Sequence, residues 1–456
     1  MRMPSYQIYM SRGRLTLISL ILLYIGILFY IYKFFISTNY SYMGAGYYPH
    51  SILVNVFQIM LCIIPIFFIP IRLRFPSHYA IWILYFTAYI PNILLPILST
   101  RVIDVGMLLY ALCVFVGMSF LALIPKRMDF RLWQLGAVEF RWILIFTSAA
   151  ILAINIATFG FPTEFLSLSD VYLKRGEFTE ELRAAGLGLA YLNPILTNVL
   201  LPSIVYIGII RKEITIILIY IVMYALLFNI TTSKGVLFTP LFIIGLYFIT
   251  VIKADYKPIF MTLVLSLTIL VLLVADVVFF EAPILSGLIT LRLLIIQGVL
   301  SGMVQDYFHT HQFYYYSYGF LNHLVDAGHI RSLPEAIGIN YLWRSWTSHA
   351  NVNFWANAYA NLGYFGILFM SAVFAGILWL YDSIWYSKSR NLGSILLGLL
   401  IISVANTGLQ TVFLSNGLWF AFILGFIVPF SAQIRAGRMF PSIYRAHARA
   451  PAPGTH

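Results

Sequence analysis

Charged residues are scarce in this sequence, and their scarcity sets the class of protein. Asp, Glu, Lys and Arg make up 10% of the 456 residues, while 61% are hydrophobic, well above the roughly 45–50% of a soluble domain. Apolar runs of about 20 residues recur along the chain, and each is long enough to cross roughly 30 Å of hydrocarbon. Because the runs are continuous rather than alternating, they predict membrane-spanning helices and exclude the strands of a barrel.

Cysteine and the common cofactor motifs are also missing. The two cysteines, Cys62 and Cys113, both lie in apolar runs, which excludes a disulfide framework and a cysteine metal pair. The sequence has no Gly-rich phosphate loop, no H-x-x-x-H spacing on a helix and no nucleophile elbow. His309 and His311 are two residues apart in a loop, which is a weak metal signal. We therefore expect no cofactor and no metal.

The apolar runs predict an all-α polytopic membrane protein with about twelve transmembrane helices. Their predicted positions are 15–37, 51–71, 79–99, 104–124, 142–160, 188–210, 214–230, 236–252, 258–279, 355–380, 392–409 and 414–434. Nineteen of the 28 Lys and Arg residues fall in the two tails and in every second loop, so the net charge of +12 reflects the positive-inside rule and not nucleic-acid binding.

This charge pattern predicts three parts of the chain. Residues 1–14 form a cytoplasmic tail, residues 15–434 form the transmembrane bundle, and residues 435–456 form a second, basic cytoplasmic tail. Two long segments of the bundle, 161–187 and 280–352, are expected on the opposite, outward face. The second segment holds five of the nine histidines, and we look there for function.

Several charged residues on the outward face need a partner. Arg292 lies in an apolar run, where a guanidinium requires a carboxylate, carbonyl groups, water or an anionic ligand; the alternative is a structural arginine that snorkels. Arg175 and Arg183 are eight residues apart and would share a helix face, or else belong to a solvated loop. Lys234 stands alone between two predicted spans. Asp276 is costly near a span end unless paired, and Arg292 or Lys234 could pair with it.

Amide side chains mark the start of the tenth predicted span. Asn353, Asn357 and Asn361 are spaced i, i+4 and i+8, so they form a stripe on one helix face that should point into the bundle. Gly363 and Gly366 would permit close helix packing. The stripe could orient sugar hydroxyls, or it could serve packing alone.

Four pieces of the sequence resemble the Wzy-type O-antigen, or oligosaccharide repeat-unit, polymerases. Asn351–Gly366 is similar to the family run N-x-N-F-x-A-x-A-Y-x-x-x-G-x-x-G. Arg292 followed by 305–308, Gln-Asp-Tyr-Phe, resembles the family's arginine helix and its aromatic-Asp-aromatic sequence. Arg175 to Gly186 has R-x10-G spacing, and 232–235, Thr-Ser-Lys-Gly, resembles a Ser-Arg-Gly element with lysine in place of arginine. The segment 280–352 departs from the pattern because it lacks a clean R-x10-G.

The resemblance implies a glycosyltransferase of GT-C-like architecture in the bacterial inner membrane, with an outward-facing polar cavity and a periplasmic active site. Its substrates would be undecaprenyl-diphosphate-linked oligosaccharides, and a chain-length regulator would be a candidate partner beside membrane lipids; no nucleic acid is expected. The residues expected in the site are His349, Asp306 and Arg292 for catalysis, Arg175, Arg183, Lys234 and Arg292 for the diphosphate, and Asn351, Asn353, Asn357 and Arg344 for the sugars.

Two other functions remain open at this point. A lipid-linked-oligosaccharide flippase would also have about twelve spans, but we expect buried charges distributed through its spans. An O-antigen ligase shares the architecture and an arginine-rich outer site, and differs in using lipid A core as the acceptor. The motif around Asn353 favours the polymerase.

Overall fold

The computed structural model describes residues 12–125, 127–130, 134–162, 178, 182, 187–280, 283–317, 331–342 and 350–429. Within these ranges every regular element is a helix and no strand is present. The prediction of an all-α polytopic membrane protein is therefore confirmed at the level of class. Residues 1–11 and 430–456 and most of the segment 161–187 lie outside the described residues, so the predicted division of the chain stays a prediction there.

The described residues form thirteen apolar helices of different lengths. Nine are long and apolar enough to cross a membrane: α1 (Gly13–Asn39), α3 (Pro76–Leu98), α4 (Val105–Ala122), α5 (Ala137–Phe159), α6 (Gly188–Arg211), α7 (Ile214–Thr231), α9 (Lys257–Phe280), α10 (Ile284–Thr310) and α12 (Phe354–Ile384). Four are shorter: α2 (Ile52–Phe67), α8 (Gly235–Val251), α13 (Arg390–Val404) and α15 (Leu418–Ile427). Two brief helices, α11 (Leu333–Tyr341) and α14 (Leu409–Leu414), lie between them.

The predicted count of twelve spans is not confirmed, although the first nine predicted spans each coincide with a helix. One apolar helix was missed: α10 lies inside the segment 280–352, which the sequence analysis treats as an outward loop. The last two predicted spans, 392–409 and 414–434, are only partly helical, because α13 and α15 are shorter than predicted and α14 is a separate turn between them.

Helix α3 is the central element of the bundle, and nearly all of its residues are buried. It contains a π-helical segment at Tyr85–Tyr89 and two prolines beyond it, which a membrane helix tolerates when neighbouring groups satisfy the freed backbone. The side chain of Gln58 on α2 binds the same stretch, because its Nε2 donates to the carbonyls of Ile93 and Leu94 at 2.8 and 2.9 Å. A buried glutamine is here entirely a structural donor.

One end of the bundle, which we call the basic end, gathers the Lys- and Arg-bearing loops. Ion pairs join loops far apart in the chain: Arg127–Asp382 at 3.0 Å, Arg72–Asp255 at 2.6 Å and Arg141–Glu213 at 3.2 Å. The guanidinium of Arg390 also lies over the ring of Phe75. Five loops were predicted to share a face, and they contain residues 72–74, 127–141, 211–212, 253–257 and 388–390. These contacts show that they do. We call the other end of the bundle the opposite end.

Both ends of α10 lie at the opposite end of the bundle. Near its start, the carbonyl of Pro283 accepts a hydrogen bond from Tyr40, which follows α1. At its far end, His309 Nε2 lies 4.0 Å from the carboxylate of Asp104, which caps the start of α4. Between these points α10 packs against the π-helical segment of α3. It is long enough to cross a membrane, yet contacts place both of its ends at the same end of the bundle.

Helix α12 is not the straight span that the sequence analysis predicts. Leu362 and Gly363 have non-helical dihedrals, with Gly363 at φ +61° and ψ −147°, a conformation open to glycine alone. Trp355 Nε1 donates to Ser371 Oγ at 3.0 Å, although these residues would be about 24 Å apart in a straight helix. The chain 354–361 therefore folds back against 364–384 as a helical hairpin, and a Cβ at Gly366 would collide with the Ala358 carbonyl.

The hairpin starts deep in the bundle. Trp355 Nε1 and Ser371 both meet Gly117 of α4, which comes 12 residues after the start of that helix at Val105, or about 18 Å in from the opposite end. Helices α13 and α15, of 15 and 10 residues, span only about 22 and 15 Å of a roughly 30 Å core. Irregular backbone at such depth is tolerated where protein buries it or where it lines a polar cavity.

Candidate functional site

Asn353 is the hub of a buried amide cluster at the start of the hairpin. It is fully buried, and its Oδ1 caps α12 by accepting from the backbone N–H groups of Trp355 and Ala356 at 3.0 and 3.1 Å. Its Nδ2 donates to Asn92 Oδ1 on α3 and to Ser301 Oγ on α10, at 3.2 and 2.8 Å. The predicted sugar-binding residue is thus engaged in joining three elements of the protein.

The amide cluster continues along the hairpin towards the opposite end. Asn357 Oδ1 accepts from Gln410 Nε2 of α14 at 2.9 Å. Asn361 Nδ2 donates to the carbonyl of Asn357 at 2.7 Å, and its Oδ1 accepts from the backbone N–H of Tyr316 at 2.8 Å. The prediction that the stripe points into the bundle is confirmed, since Asn361 is buried and Asn357 half-buried. Asn351, just before the hairpin, is exposed.

Asp306 lies at the mouth of this region, near the end of α10. Its carboxylate is exposed and accepts a hydrogen bond from Tyr341 of α11 at 2.6 Å. Burial, together with the hydrogen bond and charge of Asp306, raises the pKa of Tyr341 above its usual range, so the phenol stays a donor. A carboxylate offers about four acceptor positions, and Asp306 therefore keeps capacity to accept a further proton or hydroxyl.

Aromatic rings and histidines surround the carboxylate. The rings of Tyr307 and His311 stack at 3.9 Å between centroids, and His309 faces Asp104. Phe313 lies between α10 and the hairpin of α12. Its ring centroid is 5.7 Å from that of Phe308 on α10 and 5.8 Å from that of Tyr359 on the hairpin. Such faces suit stacking against a sugar as well as an apolar lipid stem.

Arg292 lies on α10, in a π-helical segment, and its side chain is exposed. Asp276, which was expected to pair with Arg292 or Lys234, is bound by backbone groups of the next helix. The buried carboxylate of Asp276 accepts two backbone N–H groups, from Leu285 and Ser286, both at 2.7 Å. A helix start offers free N–H groups that favour an anion, so α10 itself satisfies this carboxylate.

The other predicted cations are described only in part. Lys234 begins a helix after a tight turn in which Thr232 has φ +53°, an unusual conformation for a β-branched residue; nothing is described of the Lys234 side chain. Arg175, Arg183, Arg344 and His349 lie outside the described residues. The prediction that the cations converge on one diphosphate therefore stays a prediction.

Two further findings concern what the described residues contain. No group of three or more His, Cys, Asp or Glu side chains converges within the described ranges. An apolar groove of about 340 Å³, lined by Phe120, Pro125 and Trp379 among others, lies between α4 and α12 near the basic end. It is remote from Asp306 and the amide cluster, and we do not place the chemistry there.

Several residues of this region were not predicted from the sequence. Gln297 and Asn406 are joined by a 2.7 Å hydrogen bond, and neither residue was singled out. Gln297, Ser301 and Gln305 have the same i, i+4, i+8 spacing as the asparagine stripe, and that spacing could have revealed them once α10 was recognised as a helix.

Comparison with protein-family models, with curated proteins and with solved structures finds no match for this chain. The function of the protein is therefore inferred from its residues, their geometry and the resemblance of their motifs.

Proposed function

We propose that this protein is a bacterial polysaccharide polymerase of GT-C-like architecture. It transfers an undecaprenyl-diphosphate-linked glycan onto a lipid-linked repeat unit at the periplasmic face of the inner membrane. The observation that carries the proposal is the fold of Asn351–Gly366. The run that resembles the polymerase family forms the first arm and the turn of the helical hairpin, carries its amides, and packs against α10, the helix that bears Asp306.

The proposed reaction exchanges one bond at the anomeric carbon of the donor. A hydroxyl of the acceptor attacks this carbon, the bond to the diphosphate breaks, and undecaprenyl diphosphate leaves with the bonding electrons. The hydroxyl proton passes to a base, for which Asp306 and His349 are the candidates; general-base catalysis contributes about 10²–10⁴-fold. Arg292, with Arg175, Arg183 and Lys234, would stabilise charge on the leaving diphosphate.

The distribution of buried charge favours an enzyme over a flippase. Among the described residues, the buried charged side chains are Lys257, Asp276, Asp382 and Lys388, and each lies at or near a helix end. A flippase that carries a diphosphate through the membrane would need charges along its path. The described spans offer neutral amides at mid-depth instead, which match sugar hydroxyls.

The experiment is a deletion strain, with its surface polysaccharide resolved on a gel. A polymerase mutant should retain lipid A core capped by one repeat unit, because the flippase and the ligase still function. Loss of every capped species would contradict the proposal and point to a flippase or a ligase. Complementation with the full chain should restore the ladder of polymer lengths.

A further inference from the structure

Three polar residues share one buried face of α10. Gln297, Ser301 and Gln305 are spaced i, i+4 and i+8, and they are 3%, 0% and 4% exposed. Gly298 and Gly302, on another side of the helix, lie against Pro91 and Pro96 of α3. The polar face is directed at the hairpin, since Asn353 Nδ2 reaches both the Gln297 carbonyl and Ser301 Oγ.

Gln305 differs from Gln297, whose Nε2 is bonded to Asn406 while its Oε1 has no partner among the described residues, because both polar atoms of the Gln305 amide are unused. Neither its Nε2 nor its Oε1 has a hydrogen-bond partner among the described residues. An amide carries two donor hydrogens and an acceptor oxygen, and each buried group left unpaired costs about 1–3 kcal/mol. Gln58, which is 2% exposed, shows the contrasting case, in which both donor hydrogens are taken up by carbonyls of α3.

A second hydrogen-bond acceptor without a partner, Gln410 Oε1, lies at the same depth in the bundle as Gln305. Asn353 is beside Ser301, and Phe313 links Tyr359 to Phe308, so the hairpin and α10 run side by side in the same direction. Asn357 is one turn beyond Asn353, as Gln305 is one turn beyond Ser301. Gln410, bonded to Asn357 through Nε2, has an Oε1 that is buried and without a partner in the described part of the chain.

The chemistry of these groups specifies the ligand. They are neutral, they combine donors with acceptors, and Gln305 directly precedes the exposed Asp306 carboxylate. A hydroxyl both donates and accepts, so neighbouring hydroxyls of a sugar ring can pair with a fixed amide at both of its polar atoms. A diphosphate would instead need cations or several N–H donors, and the row from Gln297 to Gln305 carries no positive charge.

We propose that Gln305, together with Gln410 Oε1, forms a neutral subsite that hydrogen-bonds the hydroxyls of a saccharide next to Asp306. The subsite rests on the proposed polymerase function and adds detail to it. It places sugar-binding groups on α10 and α14, in addition to the predicted asparagines. In this arrangement the amide holds the saccharide from the buried side of α10, and the Asp306 carboxylate, about 100° further around the helix, meets the reacting hydroxyl at the exposed side.

The test compares Gln305→Met with Gln58→Met in purified full-length protein. The probe is the water-soluble oligosaccharide released by mild acid from the host's lipid-linked repeat units, titrated against the protein by thermal shift. We expect Gln305→Met to weaken binding at least about 10-fold, while the unfolding temperature stays unchanged or rises, because an unpaired buried amide contributes nothing to folding. Gln58→Met should lower the unfolding temperature and leave the affinity unchanged.

Several outcomes would overturn the subsite. One is equal affinity of wild type and Gln305→Met for the oligosaccharide, and another is no saturable binding by wild type. A third is failure of both Gln305→Met and the similarly sized Gln305→Leu to accumulate, because the amide would then be needed for folding. The proposed function fails separately. If wild type binds the oligosaccharide through Gln305 but its deletion leaves the polymer ladder intact, the sugar subsite stands and the polymerase does not.

Discussion

Asp382 at the basic end of the bundle differs from Asp306 and Gln305 at the opposite end in how far its hydrogen-bonding capacity is used. At the basic end, Asp382 is fully buried and accepts from Ser77 N, Ser77 Oγ and Arg127 Nε at 2.8, 2.5 and 3.0 Å. At the opposite end, Asp306 is exposed and Gln305 is buried without a partner among the described residues. The hydrogen bonds of Asp382 stabilise the fold. Asp306 and Gln305 keep donor and acceptor positions that no described residue occupies.

This difference separates stability from function. A buried charge without its partner is strongly destabilising, whereas an unpaired neutral amide can be replaced at little cost. Substitutions at the basic end should therefore lower the amount of folded protein. Substitutions of Asp306 and Gln305 at the opposite end should lower activity in protein that still folds.

The largest effect is expected for Asp382→Ala. The change leaves Arg127 without its carboxylate in a largely buried position, and breaking such a pair costs about 3–5 kcal/mol. We expect most of the protein to disappear from the membrane fraction, measured by immunoblot and by the unfolding temperature of what remains. Asp255→Ala is the matched control, because its pair with Arg72 is exposed and contributes about 0–1 kcal/mol. Similar losses from both variants would contradict the comparison.

Arg292→Ala should reduce activity rather than abundance. If the guanidinium stabilises the leaving diphosphate in the transition state, its removal should cost about 10²–10³-fold in polymerisation rate. Arg292→Lys keeps the charge and loses the bidentate fork, so it should recover only part of the rate.

Polymer length on a gel, with membrane protein level measured alongside, checks the Arg292 prediction. Arg101, exposed on the same end of the bundle, supplies the control, and Arg101→Ala should leave the polymer unchanged. Wild-type polymer from Arg292→Ala would reduce Arg292 to a snorkelling residue. Loss of the protein from the membrane would make its role structural.

Tyr341→Phe is expected to have the smallest effect. It removes one hydrogen bond to Asp306, so a decrease in activity of about 2- to 10-fold is expected from the usual net value of such a bond. Because the pKa of Tyr341 is raised, the phenol's contribution is complete below its ordinary pKa of about 10 and is lost only as the pH rises above that value.

The ratio of Tyr341→Phe to wild-type activity should thus be constant between about pH 6 and 9. Tyr315→Phe, an exposed tyrosine on the same end, serves as the control and should match wild type. A ratio that changes across this pH range would mean that Tyr341 itself titrates there.

The class of fold and the sidedness of the bundle could be predicted from sequence, because both follow from local composition. Apolar runs of about 20 residues predicted the positions of the first nine helices. The Lys and Arg pattern grouped the five loops that meet at the basic end. The inward direction of the asparagine stripe followed from helical spacing alone.

The shape of the candidate site could not be predicted in the same way. The run that begins at Phe354 reads as one continuous span, and its reversal depends on the dihedrals of Gly363 and on the fit of Gly366 against Ala358. Helix α10 was assigned to the outward segment 280–352, which is rich in polar residues and holds five of the nine histidines. Its place in the bundle depends on long-range packing against α3, which no local pattern encodes.

The most direct test of the account is glycosyl transfer by the purified protein. Full-length protein in detergent would be mixed with lipid-linked repeat units and excess chelator, and the lipid-linked products would be resolved by mass. The account predicts species with two or more repeat units together with released undecaprenyl diphosphate. If no repeat units are joined under these conditions, while the same preparation moves the substrate across vesicles or transfers it to lipid A core, the polymerase assignment is contradicted.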